Sequence, residues 1–178
     1  EFSSFYRSTL DNSGSLIPVS REIAQTKRYL MFEYARFGDD RIAAEFIVED
    51  GVEESPVPSF VIQPLVENAV RHGMKDEGTL HIRVAVRSCG EGAISIEVSD
   101  DGVGMSEQTA AHLFEVTERP VDVNAPQGGG AGVAMHNIFE RIQRFYGPNS
   151  SAHVESHPGE GTTITLHLDL LGSIFVDG

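Results

Sequence analysis

From residue 20 onward, apolar and polar positions alternate with two different periods. Over residues 20–37 the positions Ile23, Thr26, Lys27, Leu30, Tyr34 and Phe37 recur every three or four residues, which predicts a helix with one buried stripe. Ser20, with Glu22 and Ile23 behind it, suits its start, and Gly38 suits its C-terminal cap. The period then drops to two. Residues 41–49, with Ile42, Phe46 and Val48, residues 80–88 (LHIRVAVRS) and residues 93–98 (AISIEV) read as strands, the last two joined at Glu91-Gly92 as a hairpin. Helical spacing returns briefly over 107–114 and at length over 133–146, through Ile138, Ile142 and Phe145 to the stop at Gly147-Pro148. Two further strands, 152–156 and 162–168, flank the turn HPGEG. Residues 1–19 predict no defined element, the acidic stretch up to Ser59 reads as a loop, and the Pro-, Asn-, Gln- and Gly-rich run 115–132 is long enough to serve as a lid.

Strands in hairpins combined with helices, without regular alternation, predict an α+β fold: a two-layer α/β sandwich whose mixed, mostly antiparallel sheet carries helices on one face.

The segment FVIQPLVENAVRHGM, residues 60–74, complicates this picture. A helix from about Pro64 sets Leu65, Val66, Ala69, Val70 and Gly73 on one stripe and Glu67, Asn68, Arg71 and His72 on the other. Taken alone, such a polar face is compatible with ordinary solvated surface. A carboxylate, an amide, a cation and an imidazole in one short stretch are also what a polar ligand would need.

Composition narrows the ligand. A net charge of −14 and a pI near 4.8 exclude non-specific binding to nucleic acid or to an anionic membrane, which needs clustered Lys and Arg. Any anion must be held locally, by a few cations, a metal or backbone N–H groups. The single cysteine, Cys89, forms no internal disulfide and points to a reducing, cytoplasmic setting. No apolar run reaches the length of a membrane span. The chain opens on Glu1, so a fragment of a longer protein is expected.

Two glycine clusters follow. Asp100-Asp101-Gly102-Val103-Gly104 stands where a strand ends, so its carboxylates emerge at the sheet edge while the glycines let the backbone turn close to a ligand. A carboxylate there repels phosphate but can accept a hydrogen bond from an exocyclic amine such as that of adenine. The second cluster, Gly128-Gly129-Gly130-Ala131-Gly132, leads into the helix expected from Val133, where free N–H groups and the helix dipole favour an anion. No GKS or GKT follows it, so a P-loop is not indicated. Either cluster alone could be a simple turn or hinge.

The succession of polar-faced helix, strand with DxGxG, long loop, GxG opening a helix, and GEGTT opening a strand resembles the ATP-binding domain shared by sensor histidine kinases, gyrase-type topoisomerases and Hsp90 chaperones. The detailed match is to the LytS-like histidine kinases. It is carried by QPLVENAVRHG (residues 63–73, the asparagine box), by NIFERI (137–142) with Tyr146-Gly147 closing that helix, and by YLMFEYARFGDDRI (29–42) ahead of the site, and it covers roughly residues 20–168.

The resemblance implies a Bergerat-type fold. Residues 1–37 would be lead-in and the end of a dimerisation or linker helix, 38–170 the ATP-binding domain and 171–178 a tail. It also implies roles. Asn68 would hold Mg²⁺ and Glu67 would polarise a reacting group or order a metal-bound water, the two forming the catalytic pair. Arg71 and His72 would face phosphates or ribose, and Asp100 would read adenine, with Gly102, Gly104 and Met105 shaping the pocket. Thr162 or Thr163 would complete it, Phe114 would anchor the lid, and Gly130, Gly132 and Val133 would offer N–H groups to the phosphates.

Two departures from the family pattern are Ala134 in place of a third glycine and Asp101 where asparagine is frequent. If Ala134 lies within the helix it is harmless; if it must approach phosphate, its methyl group weakens binding.

The implied function is the catalytic domain of a two-component sensor kinase that positions Mg–ATP for phosphoryl transfer to a histidine upstream, and onward to a response regulator. The full-length protein is expected to be a homodimer, membrane-anchored through an upstream region. No PHFLFN-like acceptor motif occurs, and the seven histidines all lie within the ATP-binding region. Two other readings stay open: a degenerate module that docks partners, and a gyrase- or Hsp90-like ATPase. Against the latter, Pro64 occupies the position of the water-activating glutamate.

Overall fold

The computed structural model describes residues 15–111, 113 and 130–172, and only the backbone of 130–134. In chain order the elements are β1 (Leu16–Pro18), α1 (Val19–Phe37), β2 (Ile42–Val48), β3 (Pro56–Pro58), α2 (Gln63–Gly73), β4 (Leu80–Ser88), β5 (Ala93–Asp100), α3 (Glu107–Ala111), α4 (Gly130–Tyr146), β6 (Ser151–His157), β7 (Gly161–Asp169) and a 3₁₀ turn, Leu170–Gly172.

The main sheet has five strands in the order β2-β4-β5-β7-β6, with β2 parallel to β4 and every other pair antiparallel. Period-two alternation sends Ile82, Val84 and Val86 of β4, Ile94, Ile96 and Val98 of β5, and Ile164, Leu166 and Leu168 of β7 to one face, where all are buried. They join Leu65, Val66, Ala69 and Val70 of α2 and Met135, Ile138, Ile142 and Tyr146 of α4 in one core. The residues between them, among them Arg83, Glu97, Ser99, Thr163 and Thr165, lie on the opposite, more open face. The expected two-layer α+β architecture is therefore present. Among the described residues no helix is long and apolar enough to cross a membrane.

Three details differ from the sequence expectation. Residues 16–18 and 56–58 pair as a short antiparallel ribbon, Leu16 opposite Pro58, where no strands were expected. Helix α1 starts at Val19 with no side-chain cap; Glu22 does not cap its own helix but is fully buried and turned toward α2. Val19, Ile23 and Leu30 of α1 sit in the same core as the sheet, which makes this helix a layer of the domain. Finally, α4 begins at Gly130 rather than Val133. Its first four N–H groups have no partner within the helix in any case, so glycines there sacrifice no hydrogen bond and cost only their propensity, about 1 kcal/mol each against Ala.

Candidate functional site

Helix α2 resolves the question of its polar face. Only Arg71 is exposed; Glu67 and His72 are partly buried, and Asn68 is 7% exposed. A solvated face would not bury an amide. Asn68 and His72, four residues apart, share one side of the helix. Among the described residues, the His72 Nε2 is buried without a hydrogen-bond partner. Burial, and then the Arg71 charge, lowers the His72 pKa. Burial raises that of Glu67, opposed by a 2.7 Å hydrogen bond from Gln63 Nε2 and reinforced by the charge of Glu33 on α1.

The C-terminal end of α2 is locked into the first glycine cluster. Val103 N donates to Gly73 O at 3.1 Å. A Cβ on Gly102 would fall 2.3 Å from Gly73 O, and one on Gly73 would come within 3.0 Å of Asp100 Oδ1. These two glycines let the helix end and the DxGxG turn touch. Asp100 closes β5 on the helix side, its Oδ1 accepting from Gly102 N at 2.9 Å. Burial pushes its pKa up to about 6 against the Gly102 and Thr162 N–H groups, which pull it down.

The turn between β6 and β7 forms the third wall. Asp100 pairs with Thr162, and Thr162 with Ser156, across the sheet. A Cβ on Gly104 would lie 2.0 Å from His157 O, and one on Gly161 1.9 Å from Asp100 O. Ser156 ties these pieces together: its Oγ accepts from Met105 N at 2.9 Å and lies 2.9 Å from both Gly161 O and Thr162 Oγ1. Ser156 carries no sequence signal, and the GEGTT motif marks Gly161 without its contact, because their closeness to Asp100 depends on strand register. Ser156→Ala is expected to lower unfolding free energy by about 1–3 kcal/mol by leaving Met105 N without its acceptor, as read from urea denaturation.

Of the alternatives Thr162 and Thr163, only Thr162 joins this cluster. It is buried at 7% exposure, whereas Thr163 pairs with Ser99 and Glu155 on the other face of the sheet. Strand alternation excludes both serving one pocket. Asp101 also points away. Its Oδ1 accepts from His81 N at 2.9 Å, and its Oδ2 lies 2.9 Å from His81 Nδ1 and 3.5 Å from Lys75 Nζ. Partial burial works to raise its pKa, but the His81 N–H, the His81 ring and Lys75 outweigh it and hold the carboxyl below its ordinary value. Asp101 is thus paired with His81 and Lys75, but its charge still adds to the upward shift of the Asp100 pKa, opposed by Lys75.

Gly130 and Gly132 fall in the first turn of α4, where the backbone N–H groups are free of intrahelical partners, whereas Val133 is the fourth helical residue and its N–H starts the intrahelical ladder. Ala134 is the fifth residue of this helix, a position where alanine favours the helix. Phe114 lies outside the described residues.

A helix ending on DxGxG, a half-buried carboxylate at a strand end, and a further helix opened by glycines define a class of nucleotide-binding domain. The chain belongs to the family described as histidine kinase-, DNA gyrase B- and HSP90-like ATPases, which matches residues 55–172. Among curated relatives it is 34% identical to the sensor protein LytS of Bacillus anthracis, over 93% of this chain and 27% of that protein. It is 29% identical to LytS of Bacillus subtilis, over 96% and 28%. The chain thus spans about a quarter of the length of these relatives. The fold matches that of the catalytic domain of histidine kinase ThkA, with a TM-score of 0.64 at 15% identity, covering 88% of this chain and 95% of that one. It also matches full-length ShkA in complex with AMPPNP, with a TM-score of 0.65 at 16% identity, covering 87% and 31%.

Proposed function

We propose that this chain is the ATP-binding catalytic domain of a two-component sensor histidine kinase, presenting Mg–ATP to a phosphoacceptor histidine on another segment of the same protein. The observation that carries the reading is the contact of the asparagine-box helix with the DxGxG turn, Gly73 against Gly102 and Asp100. It makes one continuous wall of the residues that would read the base and those that would meet the phosphates.

Asp100 accepts the exocyclic amine of adenine, supported by its burial and by the Gly102 N–H that fixes one carboxylate oxygen. Thr162 and Ser156 hold the back of this pocket. Asn68 is the metal ligand. Mg²⁺ keeps most of its waters and takes few protein oxygens besides phosphate, so a single buried amide suits it, and the unpartnered His72 Nε2 beside it fits a ligand oxygen. When bound, the ion neutralises phosphate charge. Arg71 and His72 flank phosphates or ribose, the free N–H groups at Gly130 and Gly132 offer hydrogen bonds to the phosphates, and Val133 follows them in the same turn. Glu67, adjacent to Asn68 and raised in pKa by burial, orients the incoming acceptor or a metal-bound water. Phosphoryl transfer depends mainly on such positioning and charge neutralisation. The response regulator, the homodimer and an upstream membrane anchor belong to the same reading, with this domain on the cytoplasmic side.

Calorimetry on the chain is expected to give Mg–ATP binding in the micromolar to millimolar range, with GTP much weaker. Joining the chain to its upstream segment should restore autophosphorylation on histidine. Equal affinity for GTP, or no heat with either nucleotide, would overturn the assignment.

A further inference from the structure

Glu22 is a carboxylate with 0% exposure on a helix outside the asparagine box, a costly placement unless its oxygens are fully used. They are used on the start of α2. Oε1 accepts from Phe60 N at 2.7 Å, and Oε2 accepts from Val61 N at 3.1 Å and Ile62 N at 3.0 Å. These are donors at the N-terminus of α2, which Ile62 caps without a side-chain bond. A negative charge there also opposes the positive end of the helix dipole.

The same turn is gripped from its other side. Arg141 of α4 donates from Nη1 to Ser59 O and from Nη2 to Phe60 O, both at 2.8 Å. Between the two grips sits Phe60, at φ +59°, the one non-glycine residue with positive φ among those described. An aromatic residue holds that conformation only when its surroundings over-determine it. Two opposite charges, from helices α1 and α4, thus fix the peptide groups of residues 59–62 and with them where α2 begins.

We infer that Glu22 is a positioning residue of the nucleotide site: by seating the start of α2 it sets the axial place of Asn68, six residues on from Ile62, with Arg141 as its counterpart. Asp100 is carried by β5 and the Gly102 turn and meets α2 only at its far end, Gly73, so it depends on this grip less than Asn68 does. The inference rests on the Mg–ATP reading above. It adds that α1, the helix through which the chain enters the domain, is hydrogen-bonded to the element that carries the metal ligand.

The test compares two ligands on the whole 178-residue chain: Mg–ATP, which engages Asn68, and ADP in EDTA, which relies on the adenine pocket. Glu22→Gln keeps the shape but turns one oxygen into a donor facing N–H donors. It is expected to weaken Mg–ATP roughly tenfold or more while ADP in EDTA stays within about twofold. Glu22→Asp, which keeps the charge, should recover part of the loss. Should Glu22→Gln fail to fold, Arg141→Lys carries the test, since it keeps the charge but can no longer hold both carbonyls; the same selective loss is expected. Equal weakening of both ligands, or no weakening of either, would overturn the inference. Failure of the unsubstituted chain to bind Mg–ATP would instead overturn the functional reading beneath it.

Discussion

Asp100→Asn is expected to weaken ATP binding about 10- to 100-fold while raising the thermal midpoint of the free chain at pH 8. The two effects share one cause. Burial lifts the carboxyl to about 6 in the folded chain, against about 3.9 when unfolded. The folded state therefore holds its proton longer than the unfolded state, and ionisation works against folding as pH rises from about 4 to 6. Above that the penalty is constant; below about 4 it vanishes. Asparagine never ionises and can still accept from Gly102 N, so its stabilisation should be larger at pH 8 than at pH 5. It replaces an acceptor by an amide that can offer its N–H₂ to the exocyclic amine of adenine, a clash of donors. In the unsubstituted chain, ATP affinity should fall as pH drops through about 6. Melting curves and titrations at both pH values check this. A midpoint lowered at both, or unchanged ATP affinity, would count against Asp100 as the half-buried base-reading acceptor.

The other large effect is expected at Gly161. With φ at +92° and a substituent Cβ only 1.9 Å from Asp100 O, Gly161→Ala combines left-handed backbone strain with a clash against the backbone of β5. Together these should cost about 3–5 kcal/mol, a large part of a typical domain's 5–15 kcal/mol. Gly159→Ala serves as the comparison. Its φ is +84°, but nothing lies within 4 Å of the added atom, so only the backbone cost of about 1–2 kcal/mol remains. Urea denaturation of both variants separates the two contributions. Equal losses would mean that the approach of Gly161 to β5 contributes nothing.

Much of this arrangement is legible in the sequence because it is local. The period-two runs at 80–88 and 93–98 are strands, the 63–73 helix needs only its own spacing, and DxGxG falls at a strand end. What stays hidden depends on partners far along the chain. Glu22 reads as the first-turn acid of its own helix, yet its hydrogen-bond partners lie 38 to 40 residues ahead. The ribbon of residues 16–18 and 56–58 is too short and too proline-rich to show a period. Thr162 and Thr163 are chemically identical, and only the pairing of β7 with β5 decides which of them faces Asp100. Ser156 and Gly161 acquire their importance from that same pairing.

The pairing of β5 with β7 also has a consequence for how the chain folds. Asp100 meets Thr162 only once the chain has passed through α3, α4 and β6 and turned back, and closing so long a loop is entropically slow compared with zipping the β4–β5 hairpin. The pairing of β4 with β5 is local, whereas the wall formed by Asp100 and Thr162 needs β7 in place beside β5. A chain cut short before β7 would therefore keep Asp100 but lose the strand that walls it in.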